Sequence, residues 1–141
     1  MCLNYPMDLQ VGVKIVLRNK EGKILLLERN LDKYPEVGKQ NRWDIVGGRI
    51  EVGVPLLENL KREIFEETKL ELKEQPKLIA AQDILRGTDK HVVRLTYTAN
   101  IEGEPQIDDE HKSFRWASPS EIDELGEFDL YFKEVFDKYL K

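Results

Sequence analysis

Two apolar segments on either side of a polar turn constrain the fold of this chain more than any other feature. In residues 11–17, Val11, Val13, Ile15 and Leu17 fall on one face, which is the period of a β-strand. Arg18-Asn19-Lys20-Glu21-Gly22 reads as a turn, and residues 23–29 (KILLLER) as a second, more buried strand. Together they predict a hairpin.

The rest of the chain alternates similarly. A long loop over 30–41, containing Pro35 and Gly38, precedes a short strand at 42–46 that runs into Gly47-Gly48. Pro55 is acceptable in the first turn of a helix and opens one that extends to about Thr68. Leu57, Leu60 and Ile64 recur along it at helical spacing. Strands are expected at 77–86 and 91–101 around a Gly87-Thr88-Asp89 turn, and at 113–117. Ser118-Pro119-Ser120-Glu121 has the form of a capping box, and 128–141 reads as a closing amphipathic helix. The order strands, helix, strands, helices predicts a mixed α/β fold. No repeat or linker divides the chain, so residues 1–141 read as a single domain.

Composition narrows the function. With 40% apolar and 35% charged residues the chain reads as globular. Its net charge of −5 lacks the basic footprint of a duplex-binding protein. No stretch approaches the roughly 20 apolar residues that span a bilayer, and residues 1–10 do not form a secretory leader. Cys2 is the single cysteine, so no intrachain disulfide can form, and the chain reads as cytoplasmic. A small anionic ligand requires local cations to offset the repulsion.

The segment that carries chemistry is Gly47-Gly48-Arg49-Ile50-Glu51-Val52-Gly53, leading to Arg62-Glu63-Ile64-Phe65-Glu66-Glu67. At 3.6 residues per turn, Glu63, Glu66 and Glu67 share an arc of roughly 100°. Like charges three and four apart destabilise a helix by a few tenths of a kcal/mol per pair, and the helix dipole disfavours anions near its C-terminus. A divalent cation would reverse both penalties. Oxygen ligands without histidine or thiolate point to magnesium, with manganese as the alternative.

These residues resemble the signature of the Nudix hydrolase family. That signature is Gly, five residues, Glu, seven residues, then Arg-Glu-apolar-x-Glu-Glu-x-Gly-apolar. With Gly48 first, Arg62, Glu63, Ile64, Glu66, Glu67 and Leu70 fall in register. Trp43-Asp44-Ile45-Val46-Gly47 is similar to the family's strand leading into the glycine pair, and the segment from Glu110 through Arg115-Trp116 to Glu121 to its closing segment. Val54 and Lys69 depart, standing where the signature has its first glutamate and second glycine. Val46 stands where many relatives have proline.

The resemblance implies an α/β/α sandwich around a mixed sheet, with the catalytic loop and helix in the middle and helices at the C-terminus. It implies magnesium-dependent hydrolysis of a nucleoside diphosphate linked to another group, by attack of an activated water on phosphorus. Glu66 and Glu67 would be the main metal ligands, Glu63 a further ligand or the base, and the Gly47 carbonyl a contact. Gly48 would shape the substrate loop and Arg62 would orient the glutamates. Glu110 is the best match for a later carboxylate acting as ligand or base, with Asp108 and Asp109 as rivals. Glu51 could replace the missing glutamate as a partner of Arg62. A catalytically weak nucleotide-binding module on the same fold is the alternative, because Val54 replaces a glutamate. A homodimer is left open.

Other residues carry two readings each. Arg29 matches a position near substrate phosphates or is a surface arginine. Trp43 stacks on a base or packs, with packing favoured. Trp116 reads as core. His91 and His111 read as exposed or satisfied histidines rather than ligands. Residues 30–41 are long enough to be a substrate lid or are a plain solvated loop.

Overall fold

The computed structural model describes residues 8–87 and 89–141. Cys2, and Thr88 of the expected turn, lie outside them. The elements in chain order are β1 (Asp8–Arg18), β2 (Ile24–Arg29), β3 (Trp43–Asp44), β4 (Val46–Arg49) and α1 (Leu56–Thr68). They continue with β5 (Lys77–Arg86), β6 (Lys90–Asn100), β7 (His111–Ala117), α2 (Pro119–Leu125) and α3 (Leu130–Val135). The strands form one mixed sheet in the order β3-β2-β1-β6-β5, with β4 also on β1 and β7 also on β2. The parallel pairing of β1 and β6 runs from Asp8↔Lys90 to Arg18↔Asn100.

Both faces of the sheet are covered. Val13, Ile15, Leu17, Leu25 and Leu27 meet Leu60 and Ile64 of α1 on one side. Val16, Ile24 and Leu26 meet Ile122, Phe132, Val135 and Phe136 on the other. Alternation along a strand sends successive side chains to opposite faces, so an uninterrupted Ile24-Leu25-Leu26-Leu27 fills both layers. This is the expected α/β/α arrangement.

The β1–β2 hairpin pairs at Arg18↔Ile24, next to its turn. Beyond that the strands diverge, and residues 43–49 enter between them. β3 pairs with β2 through Leu27↔Asp44, whereas β4 pairs with β1 from Gly12↔Arg49 to Ile15↔Val46. The single strand expected at 42–46 is therefore split where it changes partner. At that point the Ile45 N–H donates to Asp44 Oδ1 at 2.8 Å in place of a ladder bond. This crossing delivers Gly47 and Gly48 beneath α1.

The loop after β2 holds two short 3-10 turns, Pro35–Val37 and Lys39–Asn41. The capping box at Ser118 has both of its arms in place. The closing helix starts at Leu130 rather than 128, because the Asp129 side chain accepts the Phe132 N–H and caps it. It ends in a π-helical turn, Phe136–Leu140. No helix of the described residues is long and apolar enough to cross a membrane.

Helix α1 ends at Lys69, which adopts a left-handed conformation with φ 62° and ψ 10°. Among the described residues it is the single non-glycine with positive φ. That geometry disfavours a residue with a Cβ by about 1–2 kcal/mol. The Lys69 ammonium offsets part of this, lying 5.3 Å from the Phe65 ring centroid, and glycine would raise the entropy of the unfolded chain. Lys69→Gly is expected to stabilise the fold by roughly 0.5 kcal/mol. Calorimetric melting checks this, and a lowered midpoint would contradict it.

Candidate active site

The site forms where β4 passes under the last turns of α1. A Cβ on Gly47 would come within 2.1 Å of the Val13 carbonyl oxygen, and its φ is +146°, so only glycine fits. The Gly47 N–H donates to Glu67 Oε1 at 2.9 Å. A Cβ on Gly48 would lie 2.8 Å from Glu63 Oε1. Glycine at this second position therefore reserves space for a carboxylate. Gly48→Ala is expected to fold, since the obstructing atom ends a flexible side chain. Its displacement of the Glu63 carboxylate should lower turnover by about a hundred-fold, as a misplaced group of about 1 Å does. Wild-type turnover in a folded Gly48→Ala protein would refute this.

Glu67 is buried, with 8% of its surface exposed. Burial pushes its carboxyl up to about 8, with Glu63 and Asp44 adding to the shift, while Lys14 and the Gly47 N–H oppose it. Burial raises the Glu63 carboxyl too, against the pull of Arg62. Glu66 points outward with its side chain 54% exposed. Both of its oxygens accept from Arg62 Nη1, at 3.1 and 3.0 Å.

Arg62 gathers the carboxylates. Its Nη2 lies 3.2 Å from Glu63 Oε1 and 3.7 Å from Glu51 Oε1. The sequence offered Glu51 as a substitute for the glutamate missing at Val54, and the structure places it within reach of the arginine. The same Nη2 donates to Asn59 Oδ1 at 3.0 Å, and that oxygen also accepts the Glu51 N–H at 3.1 Å. The fully buried Asn59 thus ties the glycine loop to the helix. The sequence reading missed it. An asparagine on the apolar side of an amphipathic helix was the available signal.

From the later loop the structure brings Asp108 to Glu67, together with His111. His111 Nδ1 lies 2.6 Å from Asp108 Oδ1. Glu110 is exposed, and its backbone carbonyl accepts the Asn30 N–H at 3.1 Å. Asp109 faces Lys33 across 3.3 Å.

Behind the glutamates lies an ion-pair cluster that the sequence reading did not anticipate. Lys14 Nζ donates to Asp44 Oδ2 at 2.7 Å, and Arg29 Nη2 donates to the same oxygen. Burial alone would raise the Asp44 carboxyl, yet Lys14 and Arg29 outweigh it and hold the group at about 2. Lys14 was legible only as a charged residue interrupting an apolar strand. Arg29 also lines a cavity of about 310 Å3 with Trp43, Val37, Asn41, Arg94 and Asp129. Trp43 therefore packs on the second core layer and borders this cavity at once. Trp116 packs against the first layer. His91 pairs with Asp83 at 2.7 Å, on the far strands of the sheet.

The donor set suits a divalent cation. It sets the buried Glu67 beside the half-buried Asp108 and His111. Lys14 only partly balances the Glu67 charge, and a carboxyl pushed up to about 8 is one whose ionised form lacks compensation. Among the described residues, the groups whose ligand atoms the structure brings within 4.8 Å of one another are Glu67, Asp108 and His111, while Glu66 is turned outward onto Arg62.

A family profile described as the NUDIX domain matches residues 8–139. The fold is similar to a MutT protein from Methanosarcina mazei Go1, with 25% identity, TM-score 0.78, and coverage of 97% of this chain and 95% of that one. It is similar to a MutT NUDIX hydrolase from Burkholderia pseudomallei, with 24% identity, TM-score 0.76, and coverage of 94% and 98%. A C. elegans Ap4A hydrolase binary complex shares the fold at 19% identity and TM-score 0.64, with coverage of 91% and 94%. Comparison with curated proteins by sequence finds no match.

Proposed function

The chain belongs to the NUDIX domain family, hydrolases that act on nucleoside diphosphate derivatives, and we propose that it cleaves a nucleoside triphosphate or a related compound with magnesium. The products would be a nucleoside monophosphate or another phosphorylated fragment. The observation that carries this reading is Glu67, a buried carboxylate under the Gly47 N–H with no full complement of cationic partners.

Glu66, Glu67, Glu63 and the Gly47 carbonyl would hold magnesium or manganese, with Asp108 rather than the exposed Glu110 as the later-loop carboxylate. Such an ion neutralises phosphate oxygens, acidifies the attacking water and stabilises the leaving phosphate. Arg62 orients Glu63 and Glu66, with Glu51 and Asn59 fixing its own position. Glu63 would take the proton of the attacking water, a role supported by the burial that raises its affinity for a proton. Arg29 and Trp43 line the adjoining cavity, where a cation and an aromatic face would receive the rest of the substrate.

The test is a screen of nucleoside diphosphate derivatives with magnesium and manganese in parallel, read by phosphorus NMR for monophosphate release. Turnover in heavy-oxygen water locates the attacked phosphorus. Binding by calorimetry without product over hours would support the non-catalytic module instead. In that event, activity emerging in Val54→Glu would assign the defect to the missing glutamate.

A further inference from the structure

We propose that His111 donates a ring nitrogen to a divalent ion held with Glu67 and Asp108, making this centre prefer manganese and cobalt to magnesium. The proposal rests on the hydrolase reading of the same site and adds a ligand that an all-oxygen centre lacks. Ligand atoms of Glu67, Asp108 and His111 all lie within 4.8 Å of one another. Donors bound at about 2.1 Å stand about 3.0 Å apart when adjacent and about 4.2 Å apart when opposite, so small side-chain rotations close these three around one ion.

The three groups come from two parts of the fold: Glu67 from the last turn of α1, and Asp108 and His111 from the segment that leads into β7. The approach of Glu67 to the local Asp108–His111 pair is therefore set by tertiary structure. The His111 backbone is fixed on one side by pairing with Arg29 of β2 and on the other by its N–H, which donates to the Asp108 carbonyl at 3.4 Å. Its side chain is only 9% exposed. Among the described residues, the one ion-pair partner of Asp108 is this imidazole, although a second carboxylate, Glu67, stands within the same cluster. Two carboxylates and an imidazole with ligand atoms this close form an electron-rich donor set that a cation would complete. An imidazole donor favours later transition ions, whereas magnesium favours oxygen.

Calorimetry with magnesium, manganese or cobalt chloride alone, on the intact chain, tests this. Wild type is expected to bind cobalt more tightly than magnesium. His111→Gln should weaken cobalt by about 10- to 100-fold, the range for disturbed metal ligation, and magnesium by far less. Bound manganese should show a nitrogen coupling in pulsed paramagnetic resonance that shifts on labelling histidine with heavy nitrogen. That wild-type readout decides the matter if the variant does not fold. Equal weakening of both ions, or no nitrogen coupling, would overturn the proposal. Glu67→Gln separates the two readings. If it leaves all metal binding unchanged, the metal-dependent hydrolase reading falls. If it abolishes binding while His111→Gln spares cobalt, only the histidine ligand falls.

Discussion

Glu67→Gln is expected to lower turnover roughly a thousand-fold in saturating magnesium, while making the metal-free protein more stable near pH 8. The glutamine keeps an oxygen to accept the Gly47 N–H, which the glutamate receives at 2.9 Å, so β4 and α1 remain joined. It loses the charge that draws a cation. Metal assistance contributes several kcal/mol to transition-state stabilisation, and 1.36 kcal/mol is ten-fold in rate. The stability effect follows from the raised carboxyl. Between its ordinary value and about 8 the folded protein holds a proton that the unfolded chain has released. That contribution is fully present below about pH 4.5 and is lost as pH rises through about 8. The parent without metal should therefore fall behind the glutamine variant by a few kcal/mol across this window. Magnesium should reverse the order, because it stabilises the ionised parent alone. Melting both proteins near pH 5 and pH 8, with and without magnesium, reads this directly. A gap between them that is the same at both pH values would contradict the burial argument, and unchanged turnover would remove the ligand role.

Asp44→Asn should destabilise the fold by roughly 3 kcal/mol, the lower end for breaking a buried ion pair, or about 10 °C in melting midpoint. Asp44 and Lys14 keep only 9% and 13% of their side-chain surface exposed. The amide would leave the Lys14 ammonium buried against a neutral partner, and free Arg29 from its anchor. The acid limb follows from the same group. The Asp44 carboxyl is held at about 2 instead of 3.8, so its contribution is present above about pH 4 and is lost as pH falls toward about 2. Its size is on the order of 2 kcal/mol, and the variant should lack that limb. Urea unfolding from about pH 2 to pH 7 tests both statements. A variant within about 0.5 kcal/mol of the parent, the range of an ordinary surface change, would mean that water rather than Asp44 satisfies Lys14.

Local signals made much of the fold readable. The strands at 77–86 and 91–101 and the helix to Thr68 appear almost as expected, because each carries its own period and its own stop. The split of residues 42–46 was not readable, since nothing local tells a strand to change partners. Asp44 causes it only in combination with the gap between β1 and β2. The closing helix was misplaced by two residues because Asp129, rather than Phe128, had a partner to cap.

The candidate site divides in the same way. Glu63, Glu66, Glu67, Arg62 and the glycine pair are written in the chain, because a helix and the loop that feeds it fix their spacing locally. Which carboxylate lies buried, that Glu66 faces outward to Arg62, and that Asp108 and His111 rather than Glu110 reach Glu67 depend on how α1, β4 and the loop before β7 meet. The sequence alone determined the element types and the helix-borne acid pattern, which arise from contacts between near neighbours. The tertiary structure decided burial, charge compensation and which later-loop groups approach Glu67, because those depend on distances between residues far apart in the chain.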